Sequence, residues 1–169
     1  MSTELQEQTQ EMGTKPVKEH EWLQKLVGKW KTETEMYMGP GQTMTSTGTE
    51  TVKSVGGLWA FIEGKATMPG GDEMEYYVTL GYDVSFKEYR GARFMSMSSH
   101  LWKLTGSLSA DGKIMTLDCV GPNMYKDGET ANYRDVLEIV DENHIKLTSF
   151  GEDENGVMQQ FMTSQNTRV

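Results

Sequence analysis

Apolar and polar positions alternate along most of this chain. From residue 43 the set Thr43, Thr45, Thr47, Thr49 and Thr51 interleaves with Met44, Ser46, Gly48, Glu50 and Val52, so the two sets fall on opposite faces of a strand. The threonines are assigned outward. The same alternation gathers Met74, Tyr76, Val78, Leu80 and Tyr82 on one face. It also sets His100, Trp102, Leu104, Gly106 and Leu108 against Leu101, Lys103, Thr105, Ser107 and Ser109, and the apolar sets are expected to point inward. Turn signals at Gly39-Pro40-Gly41, Gly56-Gly57, Pro69-Gly70-Gly71-Asp72, Asp111-Gly112, Asp141-Glu142-Asn143 and Glu154-Asn155-Gly156 divide the chain into about ten strands. They are placed near 29–38, 42–53, 58–67, 73–82, 89–98, 100–109, 113–120, 130–140, 144–151 and 157–167. One stretch departs from this period: Trp22, Leu23, Leu26 and Val27 fall at helical spacing between His20 and Val27, with Gly28 placed as the C-terminal cap. Residues 1–18 carry no periodic pattern and are expected to form a polar, flexible tail, leaving 19–169 as a single domain.

Successive strands joined by short turns make an antiparallel meander, and a sheet of this length hides its edges by closing. The expectation is therefore an all-β, up-and-down barrel with one short N-terminal helix. The first strand aligns Trp30, Thr32, Thr34, Met36 and Met38, too polar for a solid core but suited to the wall of a partly hydrated cavity. Composition agrees with one modest core or a hollow one: 36% of residues are hydrophobic and 18 are glycine. Methionine is abundant at 13, and Met36, Met38, Met44 and Met74 fall on predicted inner faces. Their polarizable thioethers adapt to variable apolar ligands, and equally fill gaps in an ordinary core.

Charge narrows the partners. A net charge of -9, from 25 acidic against 16 basic residues, opposes nucleic-acid binding, which needs a basic footprint. No segment reaches the roughly 18 apolar residues of a membrane helix, so no membrane insertion is expected. The start MSTELQEQTQ lacks the apolar stretch of a secretory signal, and the single cysteine, Cys119, permits no internal disulfide. A cytoplasmic location is the expectation.

Candidate chemistry is sparse. His100 shares its inward face with Trp102, where an imidazole serves as a general acid or base, a haem ligand, a polar hook for a ligand or a hydrogen-bonded wall residue. Glu50, also inward, completes an acid/base pair with His100 if their strands converge; alternatively it pairs with Arg93 or Arg134. Within Tyr133-Arg134-Asp135, Tyr133 faces the cavity because Leu137 and Ile139 continue its face, and Arg134 becomes an outer ion-pair residue. His20, His100, His144 and Cys119 show no metal-ligand spacing, the common catalytic motifs are missing, and Glu152-Asp153-Glu154-Asn155-Gly156 reads as a solvated turn. No metal and no cofactor are predicted.

Gly28-Lys29-Trp30, opening a strand after a short helix, resembles the Gly-x-Trp signature of the lipocalin and fatty-acid-binding barrels. More specific are Gly48-Thr49-Glu50, Gly56-Gly57-Leu58-Trp59, Thr79-Leu80-Gly81-Tyr82-Asp83, His100-Leu101-Trp102, Gly121-Pro122, Tyr133-Arg134-Asp135 and Phe161-Met162-Thr163, in this order. Over Glu19 to Arg168 the chain resembles the bacterial domain of unknown function 1579 family, a lipocalin-like group. The resemblance implies a calycin-type barrel, supplies no activity, and sets Arg168 across the indole of Trp30 at the closed end. The expected function is non-enzymatic binding of a small, mainly apolar molecule by Met36, Glu50, Tyr76, Tyr82, His100, Trp102 and Tyr133. The alternatives are a hydrolase or isomerase using Glu50 and His100, and an interaction protein with a filled barrel.

Overall fold

A computed structural model describes residues 13–169. The alternating segments all form strands: β1 (Gly28–Gly39), β2 (Gln42–Val55), β3 (Trp59–Thr67), β4 (Glu73–Asp83), β5 (Glu88–Met95), β6 (Ser98–Leu108), β7 (Ile114–Pro122), β8 (Thr130–Asp141), β9 (His144–Glu152) and β10 (Met158–Arg168). Each pairs antiparallel with the next, and β1 also pairs with β10 from Trp30 opposite Arg168 to Met36 opposite Met162. The sheet is thereby a closed, ten-stranded, up-and-down barrel with no free edge strand.

Among the described residues a single helix, α1 (Lys18–Gln24), precedes it. Glu19 and Glu21 lie in its first turn, where carboxylates complement the positive end of the helix dipole. Its last turn tightens, with Lys25, Leu26 and Val27 each bonding to the carbonyl three residues back. The helix therefore ends well before Gly28, which is not its cap. Gly28 instead opens β1 at φ +139°, and an added Cβ would run into the Arg168 guanidinium. The positive φ favours glycine there, and the missing Cβ leaves room for Arg168. Of the expected tail, residues 1–12 lie outside the described residues, while 13–17 lead, exposed, into α1.

Inward positions near α1 are packed solid. Trp22, Leu23 and Leu26 from the helix segment join Trp30, Val52, Ala60, Leu80, Leu104, Met115, Leu117 and Ile145 in one buried cluster. Each such large side chain contributes about 1.5 to 3 kcal/mol on burial. Trp30 is 2% exposed and donates its indole N–H to the Leu26 carbonyl at 2.8 Å. Arg168 Cζ sits 4.1 Å from the Trp30 ring centre, and its N–H groups donate to the carbonyls of Lys25, Val27 and Glu142. One end of the barrel is sealed.

Toward the other end the inner faces of β1, β2 and β4 stay half-exposed, while Cys119, Ala131 and Tyr133 on β7 and β8 are buried. Thr34, Met36, Met44, Ser46, Glu50 and Tyr76 are all intermediate in exposure, although they alternate with outward Thr43, Thr45, Thr47 and Thr49 on a closed wall. The space they face is the lumen. Met38 departs from its predicted inward place: it is 58% exposed at the tip of β1, where the register with β2 slips between Tyr37 and Gly39 and re-aims the side chain. No helix among the described residues is long and apolar enough to cross a membrane.

Candidate functional site

The hollow half is built from two layers. Met44, Met36 and Met162 lie side by side in register across β2, β1 and β10, giving the lumen a thioether row, and Met74 adds another on β4. Deeper in stands a polar network. Tyr76 donates its hydroxyl to Glu50 Oε1 at 2.7 Å, and Asn166 Nδ2 donates to Glu50 Oε2 at 3.0 Å. Ser164 donates to Asn166 Oδ1 at 3.0 Å, and Thr34 donates to Ser164 at 2.9 Å. The Tyr76 ring reaches Glu50 because it lies on the Cβ-free surface of Gly64, its partner across β3 and β4. Burial pushes the Glu50 carboxyl above the usual carboxylate range, and the Tyr76 hydrogen bond opposes this in part. Burial, together with the neighbouring Glu50 charge, also pushes the Tyr76 phenol up.

Neither arginine pairs with Glu50. Arg93 Nη1 bonds to Asp135 Oδ2 at 2.6 Å, and Ser149 donates to the other oxygen of Asp135 at 2.6 Å. Arg134 lies outside, as its parity implies, with two hydrogen bonds to Asp118. The register explains the choice: Arg93 reaches across β6 and β7 to Asp135 on β8, whereas Glu50 has only neutral donors beside it. His100 does not hydrogen-bond to Glu50 either; its Nε2 lies 3.2 Å from the Val120 carbonyl.

His100 belongs to an aromatic row. Its ring meets Trp102 edge-on at 4.8 Å, Trp102 meets Tyr133 at 5.0 Å, and Tyr133 meets Phe161 at 6.4 Å. Glycines on the intervening strands make room, since Trp102 covers Gly121 and Tyr133 covers Gly151. Tyr133 is buried and donates its hydroxyl to the Pro122 carbonyl. The indole N–H of Trp102 and the Nε–H of Arg93 have no partner among the described residues.

Beside this row the barrel wall is incompletely laddered. β6 and β7 pair only from Thr105 opposite Asp118 to Leu108 opposite Met115, so their other halves separate. A groove of about 810 Å³ follows the seam, touching the outward Leu101, Lys103 and Val120 and the inward His100, Cys119 and Tyr133. Burial raises the Cys119 thiol to about 11, which suits a packing residue and not a nucleophile.

Tyr82 sits elsewhere. It packs at the sealed end, edge-on to His20 at 5.8 Å and against Tyr89 at 5.0 Å. His20, which opens the expected helix, is itself 2% exposed: Nδ1 accepts the Val17 N–H, and Nε2 lies 3.2 Å from the Tyr82 carbonyl. Thus Met36, Glu50 and Tyr76 share the lumen, His100, Trp102 and Tyr133 form the row by the seam, and Trp30, Arg168 and Tyr82 close the far end. Asn166, Ser164 and Ser149 were not singled out by sequence, whereas Asp135 shares the face of Tyr133 within Tyr133-Arg134-Asp135. Counting by twos inward from Arg168 reaches Asn166 and Ser164, and that parity is the signal that finds them. Among the described residues no cluster of three metal-ligating side chains forms.

Solved structures with similar folds include the S-type phycobiliprotein lyase CPES from Guillardia theta, at 11% identity and a TM-score of 0.61, covering 90% of this chain and 93% of that one. A second, mFAP2b bound to DFHBI, aligns at 12% identity and a TM-score of 0.49, covering 89% and 98%. A de novo designed fluorescence-activating β-barrel aligns at 14% identity and a TM-score of 0.48, covering 87% and 96%. At these identities the likeness concerns the fold alone. No curated protein matches the sequence. The family model described as "Protein of unknown function (DUF1579)" matches residues 15–168, and with nearly its whole length so covered the chain belongs to that family.

Proposed function

We propose that the hollow half of the barrel binds a small, mainly apolar molecule without transforming it. The carrying observation is that Met36, Met44, Tyr76 and Glu50 keep partial exposure on the inside of a closed wall, so the lumen above the sealed end is open to solvent. Apolar surface lining a preformed concavity drives binding by its removal from water, and flexible thioethers tolerate ligands of different shape. The binder reading is preferred over an acid/base enzyme because Glu50 and His100 take separate partners and share no hydrogen bond. It is preferred over a filled interaction barrel because the inner faces of β1, β2 and β4 stay half-exposed beyond the α1 end. His100, Trp102 and Tyr133 flank the lumen as the seam side of its wall. A cytoplasmic setting goes with this reading, supported by the lone buried thiol of Cys119, and the net charge of -9 argues against a nucleic-acid partner. Fluorescence titration with a panel of apolar fluorophores, lipids and porphyrins tests it. Saturable binding with one site per chain is expected; failure of the whole panel to bind overturns the proposal.

A further inference from the structure

Glu50 is the one inward carboxylate of the hollow half for which the chain supplies no cation among its described residues. Both its oxygens accept hydrogen bonds, yet the donors, the Tyr76 hydroxyl and the Asn166 amide, are neutral. The other inward carboxylate, Asp135, has Arg93 against it. A carboxylate drawn out of bulk water without a counter-charge is costly, and such groups are ordinarily paired. Glu50 nonetheless keeps some exposure, and that exposure is to the lumen. The faces around it are Trp30 and Thr32 on β1, Gly64 on β3, Tyr76 on β4 and Asn166 on β10. None of them carries a positive charge. Above it, the methionine row and the Tyr76 ring are soft and electron-rich, surfaces that favour an apolar body bearing a cation.

We propose that the ligand of this lumen carries a protonated nitrogen, as an amine, amidine or protonated heterocycle, which pairs with Glu50 while its apolar remainder lies against the methionine row. This rests on the lumen being the binding site and adds the chemistry of the ligand's polar end. The missing counter-charge is then supplied from outside the chain. Tyr76 and Asn166 become positioning residues, holding both carboxylate oxygens so that their remaining lone pairs face the lumen. Affinity for such a ligand is linked to pH. Burial raises the Glu50 pKa, so the carboxyl gains its proton as pH falls through that raised value, and attraction for the cation is lost. Of the described groups facing Glu50 only Tyr76 titrates, and its phenol is pushed far to the alkaline side.

Three probes of one shape separate the possibilities: naphthylmethylamine, naphthylmethanol and naphthoate, titrated calorimetrically into the full chain at neutral pH. The amine is expected to bind about tenfold more tightly than the alcohol, in line with a charge-assisted hydrogen bond, and naphthoate most weakly. Glu50→Gln should bring the amine down to the alcohol's affinity, whereas Tyr76→Phe, which keeps the carboxylate and loses one of its two donors, should reduce the preference without abolishing it. If Glu50→Gln does not fold, the wild-type protein still decides: amine affinity falls as pH is lowered, and alcohol affinity stays level. Equal affinities for amine and alcohol, or tightest binding of naphthoate, overturn the cation assignment while leaving the lumen as a binding site. Binding of none of the three overturns both readings.

Discussion

Trp30 and Glu50 face each other in register across β1 and β2, and they act on stability in opposite directions. Trp30 fills the sealed end, capped by Arg168 and bonded to Leu26, so Trp30→Ala should cost on the order of 3 to 5 kcal/mol in urea unfolding, the range for a large buried aromatic. Glu50 is a carboxyl whose pKa the fold raises. An acid with a raised folded-state pKa holds its proton in the native state after the unfolded chain has released it. Stability therefore falls as pH rises from the unfolded value through the folded one, by about 1.4 kcal/mol for each unit of elevation. Urea unfolding of wild type and Glu50→Gln between about pH 4 and 8 should show the wild type losing ground steadily to the variant as pH rises. Parallel pH profiles would refute the raised pKa. Parity along β2 was enough to place Glu50 inside. Its partners were not legible, because Tyr76 lies 26 residues away and Asn166 116, and alternation fixes a face without fixing a cross-barrel neighbour.

Single strands carry the clearest sequence signal in this protein. β2 reads correctly from its threonines alone, and a matched pair of substitutions makes its two faces measurable. Ser46→Phe puts a ring into the lumen beside Thr34, whereas Thr47→Phe places it on the outer surface. Ser46→Phe should abolish probe binding or weaken it more than about tenfold, and Thr47→Phe should leave it unchanged, as read by fluorescence titration. The ends of elements were harder to read. Gly28 reads as a helix cap because glycine favours that place, but its positive φ serves the opening of β1, beside the Arg168 guanidinium. Glycines within strands have a similar explanation. Gly64, Gly81 and Gly151 each lie under an aromatic ring from the paired strand, namely Tyr76, Trp59 and Tyr133. A glycine–aromatic pair of this kind restores packing that glycine alone would forfeit, and Gly64→Ala should displace Tyr76 and weaken its bond to Glu50. Loss of the Tyr76–Glu50 coupling in a double-mutant cycle on a Gly64→Ala background checks this.

At the scale of the whole molecule, strand order needed little inference, because a meander pairs each strand with its predecessor. What the pattern left open was which parts of the barrel are full and where its wall is weak. Filling depends on how side chains from ten strands and a helix meet, and the weak seam depends on hydrogen bonds that β6 and β7 do not make. That seam bears on how the chain folds. Of the ten ladders, nine join consecutive strands, and only β1 with β10 must wait for the two ends of the sheet to meet. Val169 already bonds to Lys29, so the C-terminus lies beside the start of β1, and a linker from Val169 to Gly13, ahead of α1, makes a circular permutant. Opening the circle at Asp111–Gly112 would turn β6–β7, with four residue pairs, into the long-range closing contact. Opening it at Gly70–Gly71 would assign that task to β3–β4, with nine. Loop-closure entropy changes slowly with length, so it is nearly the same for both, and the difference falls on the ladders. The permutant opened at Asp111–Gly112 should be the less stable and the slower to refold in stopped-flow measurements, making the seam a kinetic hinge of the topology as well as a gap in its wall.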